Sequence, residues 1–121
     1  VAVSWVLDTN IVLYLLGGRL AQPLPVGDYA VSVITEMELL SFASLTPTEE
    51  AAVKQFLASV ELIELTPAVR GIAVGLRRSH QLKLPDAIVA GSAVSIGAEL
   101  LTNDERLAKT PGVTARSLGL K

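Results

Sequence analysis

The chain has no cysteine, which excludes disulfides, thiol nucleophiles and cysteine-ligated zinc together. A single histidine, His80, argues against zinc sites of the common kind as well. Aromatic residues are scarce, one Trp, two Tyr and two Phe, so sequence reading by base stacking has little to work with; Trp5 and Phe56 sit inside apolar patterns and read as core. No apolar run reaches the ~18 uncharged residues of a membrane span, and the longest, Ala87 to Ala98, is diluted by Gly and Ser. The amino end lacks the basic, apolar and small-residue pattern of a secretory signal, from which a cytoplasmic location is expected. Nor is there an excess of positive charge: ten Lys and Arg face twelve Asp and Glu, net −2. A polyanionic partner would therefore need local cations or a metal.

What is present is apolar substance. Half of the 121 residues are hydrophobic and mean hydropathy is +0.51. The length suits one domain, residues 1–121, with a single core. The apolar surplus predicts a surface covered by a partner, and hence a dimer.

The rest of the chain is organised around Val3-Ser4-Trp5-Val6-Leu7-Asp8-Thr9-Asn10, a β-type apolar run that ends on a carboxylate. It reads as a buried strand of a parallel sheet. Ile11 to Leu16, closed by Gly17-Gly18, reads as a short buried helix, so Asp8 falls between a strand's carboxyl end and a helix's amino end. Ligands bind at that edge of open α/β sheets. Residues 17–28 form a connection, and Tyr29 to Ser32 a second strand. Thr35 and Glu38 have the spacing of a capping box, predicting a helix from there to Ser44. Thr46-Pro47-Thr48-Glu49 repeats that signal more fully and opens a helix to Ser59 with Val53, Phe56, Leu57 and Val60 on one face. Glu61 to Leu65 alternates as a strand, and Thr66-Pro67 starts a helix to His80. Leu84-Pro85-Asp86-Ala87 starts another, with Ala87, Ala90, Gly91 and Val94 on one face, three of them small enough for close packing on a sheet. Glu99 to Thr102 is a strand, Asn103 to Leu107 a turn and short helix, and Val113 to Ser117 a last strand. Strand and helix alternate as in a parallel sheet with right-handed crossovers.

Four acids hold comparable places in this topology: Asp8, Glu38, Asp86 and Asp104. Singly, each has a structural explanation, because an acid in a helix's first turn meets orphan amides and the helix dipole for ~0.3–1 kcal/mol. Together they strain it, since strand carboxyl ends share one edge. Carboxylates packed there would repel, and some would stay protonated unless a hard cation intervened. Oxygen donors with water suit Mg²⁺ or Mn²⁺. Such an ion acidifies water and neutralises charge on a phosphodiester, and two of them would lie ~3.5–4 Å apart.

At these residues the chain resembles the PIN-domain ribonucleases, and among them the VapC-like toxins of type II toxin–antitoxin pairs. The resemblance runs through Leu7-Asp8-Thr9-Asn10-Ile11, Ser32-Val33-Ile34-Thr35 with Glu38-Leu39, Leu84-Pro85-Asp86-Ala87-Ile88, and Leu101-Thr102-Asn103-Asp104. It implies a three-layer α/β/α domain with four or five parallel strands, a homodimer, and a cognate antitoxin whose tail blocks the site. It implies a site of Asp8, Glu38, Asp86 and Asp104 holding one or two Mg²⁺ or Mn²⁺ ions, with Asp8 and Asp86 as direct ligands and Thr9, Asn10 and Thr102 steadying the cluster. Glu38, followed by Leu39, fits the second motif better than Glu36, which reads as a solvated first-turn acid. The activity implied is endoribonucleolytic cleavage of a structured RNA by metal-activated water.

Arg77, Arg78 and Lys83 lie just before Asp86 and are candidates for holding RNA phosphates; an ordinary charged helix end is the alternative. His80, among them, is read as a solvated or C-capping residue and not as a general base. A response-regulator domain would need an acidic pair after the first strand and an Asp between Asp28 and Asp86; neither occurs. A haloacid-dehalogenase-like phosphatase would need Asp where Asn10 stands. A non-catalytic PIN-fold module that binds RNA or a partner is the rival from another class, and the four acids argue against it.

Overall fold

Three adjacent apolar pairs, Val6-Leu7, Ala30-Val31 and Leu100-Leu101, determine the layering. Successive residues of a strand point to opposite faces, and all six of these are fully buried, so both faces of the sheet must be covered. The computed structural model describes residues 2–121. In it five strands, β1 (Trp5–Leu7), β2 (Tyr29–Ser32), β3 (Glu61–Ile63), β4 (Glu99–Leu101) and β5 (Ala115–Arg116), pair in parallel in the order β3-β2-β1-β4-β5. This is the expected three-layer α/β/α architecture.

Six helices are interleaved: α1 (Thr9–Leu16), α2 (Val33–Leu40), α3 (Pro47–Ala58), α4 (Pro67–His80), α5 (Leu84–Ile96) and α6 (Glu105–Ala108). One face of the sheet, with Val6, Ala30 and Leu100, packs on Val69 and Ala73 of α4, on α5 and on Leu107 of α6. The other, with Leu7, Val31 and Leu101, packs on Ile11 and Val12 of α1, Leu39 of α2 and Val53 of α3. Phe56, Leu57 and Val60 join the second cluster as expected, and Trp5 joins it stacked on Tyr29 at 5.5 Å between ring centroids.

The start signals of α3 and α4 act as read. Thr46 and Glu49 form a complete capping box, and Thr66 caps α4. The second helix differs. Ser32, not Thr35, is its cap, accepting from Ile34 N–H, and the helix stops at Leu40. Thr35 is therefore inside α2 and fully buried. The expected face of α5 also changes. Ala87 through Ala93 are all buried while Val94 is exposed, because α5 is covered by the sheet on one side and by α4 on the other. A Cβ on Gly91 would stand 3.2 Å from the Val69 carbonyl oxygen and 3.3 Å from Ala73 N, so the small residues allow helix-on-helix as well as helix-on-sheet approach. β3, an edge strand, ends at Ile63 with Leu62 exposed, and β5 is confined to two residues.

The chain runs outward from β1 through β2 to β3, then returns to the other side of β1 for β4 and β5. The strand order therefore reverses between β1 and β4. In open α/β sheets that reversal leaves a crevice at the strands' carboxyl ends.

Candidate functional site

Asp8 follows β1 at this crevice. Its N–H donates to the Leu101 carbonyl of β4 at 3.0 Å, and its carboxylate caps α1, Oδ1 accepting from Thr9 N–H at 2.8 Å. Oδ2 accepts from the Thr102 hydroxyl at 2.7 Å. Thr102 is itself fully buried, and its oxygen accepts from Asp104 N–H at 3.1 Å. One threonine at the end of β4 thus ties two acids together. Asp104 caps α6, Oδ1 accepting from Arg106 N–H at 2.8 Å and Leu107 N–H at 3.2 Å. Beside it, Asn103 exchanges two hydrogen bonds with the backbone of Leu118, at 2.8 and 2.7 Å, anchoring the loop to the carboxyl-terminal segment.

Glu38 arrives from the second turn of α2, where Oε1 accepts from the Thr9 hydroxyl at 2.7 Å. Asp86 arrives from the first turn of α5. It follows the α4–α5 connection and no strand, and stands at a helix start as its sequence context predicts. The cap position of α5 belongs to Lys83, without a side-chain hydrogen bond. The structural explanation thus accounts for Asp8 and Asp104, which cap helices, and through the helix dipole for Asp86 in the first turn of α5, and leaves Glu38 without such a role.

All four acids line one open cavity of about 360 Å³, together with Thr9, Asn10, Leu13, Ser41 and Phe42. Burial pushes the Asp8 carboxyl above its ordinary value; hydrogen bonds from Thr102 and Thr9 oppose this, while the negative charges of Asp104 and Glu38 add to it. Asp86 is raised by burial first, then by Asp104 and Asp8, with Lys83 opposing. Among the described residues, the ion pairs are Lys54–Glu50, Lys109–Glu105 and Arg116–Glu99, and none involves a cavity acid. The cavity therefore concentrates negative charge that threonine hydroxyls solvate without neutralising.

That donor set fits a hard divalent cation. Among the described residues no three acids or imidazoles converge into a ready-made metal cage; they line a cavity instead, which suits an ion that keeps several waters and takes one or two carboxylates. Glu38 Oε2, Asp104 Oδ2 and both oxygens of Asp86 accept no protein hydrogen bond among the described residues, so lone pairs remain for water or an ion.

Other candidates are placed less closely. Asn10 is exposed and lines the cavity, but no hydrogen bond joins it to an acid among the described residues, so its expected steadying role has no contact behind it. Glu36 is partly buried in the first turn of α2 and is not among the cavity's lining residues. Arg77 and Arg78 are exposed in the last turn of α4 and do not line the cavity, whereas Lys83 is near enough to act on Asp86. His80 lies in the last turn of α4, where a positive end is favourable. Two contributors escaped the sequence reading. Thr35, read as a cap, stands 3.0 Å from Thr9 across the helix pair; its spacing of three from Glu38, which shares its helix face, was the available signal. Phe42 lines the cavity at 45% exposure, and no sequence pattern singled it out.

A second cavity of about 280 Å³, lined largely by apolar residues including Leu13, Leu16, Phe42, Leu45 and Val53, adjoins the acidic one and shares Leu13 and Phe42 with it. Among the described residues no helix is long and apolar enough to cross a membrane.

Comparison with known proteins follows the same lines. No curated protein sequence matches the chain. Among solved structures, a toxin–antitoxin complex from Klebsiella pneumoniae is similar at 31% identity and TM-score 0.76, over 92% of this chain and 96% of that one. DNA-bound VapBC from Salmonella typhimurium shares the fold at TM-score 0.81 and 21% identity, over 95% and 98% of the two chains. VapBC2 from Rickettsia felis, bound to a DNA fragment from its promoter, does so at TM-score 0.76 and 17% identity, again over 95% and 98%. The PIN domain family model matches residues 5–113, from the start of β1 to the approach to β5. With nearly the whole sheet and the acid-lined crevice inside that match, the chain belongs to the PIN-domain family.

Proposed function

We propose that this chain is a one-domain, divalent-metal-dependent endoribonuclease, the toxin of a toxin–antitoxin pair of the VapC kind, acting in the cytoplasm on a structured RNA. The observation that carries the reading is the meeting of Asp8, Glu38, Asp86 and Asp104 in one cavity at the β1/β4 crevice. These four hold the metal site, with Asp8 and Asp86 as direct ligands. A bound Mg²⁺ or Mn²⁺, singly or as a pair, supplies charge neutralisation at the phosphodiester and a water acidified for attack. The protein does the rest. Thr102 and the Thr9 N–H fix both oxygens of Asp8, Thr102 also positions Asp104, and Thr9 fixes one oxygen of Glu38. The spare lone pairs of Glu38 and Asp104 would reach the ion directly or through water. Lys83, with Arg77 and Arg78 further out, holds the RNA backbone near the acids.

The partners proposed are the RNA, a second copy of the chain and a cognate antitoxin. The Klebsiella structure, a toxin–antitoxin complex at 31% identity, supports the last of these. So does the apolar cavity beside the acids, with Leu16 and Phe42 both exposed, since exposed apolar surface of this sort serves partner binding. The reading is tested with Asp8→Asn and Asp86→Asn. Each is expected to abolish Mn²⁺- or Mg²⁺-dependent RNA cleavage while circular dichroism stays native. Undiminished cleavage in either, or a wild-type protein that binds RNA without metal-dependent cleavage, refutes it.

A further inference from the structure

Thr35 is fully buried on α2, one turn before Glu38. Its Oγ1 lies 3.0 Å from Thr9 Oγ1, and Thr9 donates to Glu38 Oε1 at 2.7 Å. A threonine hydroxyl has one proton and two lone pairs. Since the Thr9 proton goes to Glu38, the proton in the Thr9–Thr35 contact comes from Thr35. The chain of donors thus has one direction, from Thr35 to Thr9 to Glu38, across the junction of α2 with α1. Each donation polarises the next, so the bond reaching the carboxylate is strengthened by the one behind it.

We propose that Thr35 is a positioning residue: it locks the Thr9 hydroxyl toward Glu38 Oε1 and so presents the other oxygen of Glu38 to the acidic cavity. Without the Thr35 proton, Thr9 keeps a free lone pair facing a buried wall, and its hydroxyl loses the restraint that selects one rotamer. Glu38 is then held by a weaker bond and samples orientations away from the ion. The consequence for metal binding rests on the divalent site proposed above; the consequence for the Thr9 hydroxyl does not.

The test uses Mn²⁺ alone, titrated without RNA and followed by the electron paramagnetic resonance signal of free Mn²⁺, with a crystal structure of the metal-free variant. Thr35→Val keeps shape and removes the hydroxyl, and is expected to weaken Mn²⁺ binding about fivefold to tenfold, the scale of one lost buried hydrogen bond. Thr35→Ser keeps the hydroxyl and is expected to stay within about twofold of wild type on the same basis. Equal affinity in Thr35→Val and wild type overturns the proposal. So does a loss in Thr35→Ser matching that in Thr35→Val, or exceeding twofold when Thr35→Val does not fold, because the methyl group would then be what matters. Should wild type bind no Mn²⁺, the metal reading fails and the variant structure decides the positioning role: a displaced Thr9 hydroxyl supports it, and one still on Glu38 Oε1 overturns it.

Discussion

Thr102→Val tests how the site tolerates a buried charge. The substitution is nearly isosteric at a fully buried position and removes one hydroxyl with two roles: donor to Asp8 Oδ2 at 2.7 Å and acceptor from Asp104 N–H at 3.1 Å. The Asp104 amide is partly exposed and finds water. Asp8 is only 7% exposed and loses a charge-assisted bond, a class that contributes ~1.5–3 kcal/mol. For a domain of this size ~1 kcal/mol moves Tm by roughly 3–6 °C, so metal-free protein at neutral pH is expected to melt roughly 5–15 °C lower. The loss depends on pH in a definite direction. The Thr102 bond lowers the Asp8 pKa against the burial that raises it, so removing it raises that pKa further. A bond to the ionised form contributes stability that is present above the group's folded pKa and is lost as pH falls through it. The gap between wild type and variant is therefore widest near pH 7–8 and narrows as pH falls toward the ordinary value of 3.8, where a protonated Asp8 no longer requires the donor. Thermal melts with chelator from about pH 4 to 8 read this directly. A gap that is absent, constant with pH, or wider in acid refutes the reasoning.

Glycine substitutions separate close packing from helix propensity. Gly91→Ala drives a Cβ against the backbone of α4 and is expected to lower Tm, overpacking costing ~1–3 kcal/mol against a propensity gain of ~1. Gly75→Ala, exposed on α4 with nothing within 4 Å, is expected to raise it; the same sign in both would remove the packing account of α5. Joint replacement of Arg77 and Arg78 by Ala is expected to raise KM for RNA and to flatten its salt dependence by about one unit of slope per lost phosphate contact. Unchanged kinetics would make the pair a solvated helix end. The exposed apolar residues, Met37, Leu62, Val74 and Ile96 among them, lead us to expect sedimentation at twice the 12.7 kDa chain mass; a monomer at micromolar concentration contradicts it.

The fold was legible because its signals are local and agree with one another. Thr46-Pro47-Thr48-Glu49 can do little else than start a helix, and paired apolar residues such as Leu100-Leu101 require a sheet covered on both faces. Failures came where a tertiary contact outbid a local one. The spacing of Thr35 and Glu38 is that of a capping box, yet Ser32 lies at the end of β2 where the backbone already turns, so the cap forms there and Thr35 is carried to the junction with α1. The helical period placed Val94 with Ala87, Ala90 and Gly91, but a helix enclosed by both sheet and α4 has no single inner face. For the site, the spacing of residue types brought out the acids, while their common cavity required the topology. Arg77 and Arg78 illustrate the limit: nearness in sequence to Asp86 puts them at a helix end whose direction sequence alone does not disclose, and they stand off the cavity wall.

The means by which the chain tolerates its acids bear on what the cavity is for. A carboxylate buried at the carboxyl end of β1, as Asp8 is, is costly, and proteins commonly offset such a cost with an Arg or Lys partner, which depresses the pKa. Here the direct partners are backbone amides and the hydroxyls of Thr9 and Thr102, with Thr35 behind Thr9, and among the described residues the cation acting on the pair of raised acids is Lys83, on Asp86. A hydroxyl can donate to a carboxylate, but it cannot cancel the charge. The network therefore aims the acids and leaves their repulsion in place, and that repulsion adds to the burial that raises Asp8 and Asp86 above their ordinary value. An arginine in place of Thr102 would relieve that repulsion and occupy the oxygens an ion needs. Threonine at these positions preserves both the negative charge and the open lone pairs; on the proposed function this lowers the stability of the metal-free protein, and a bound divalent cation would restore it.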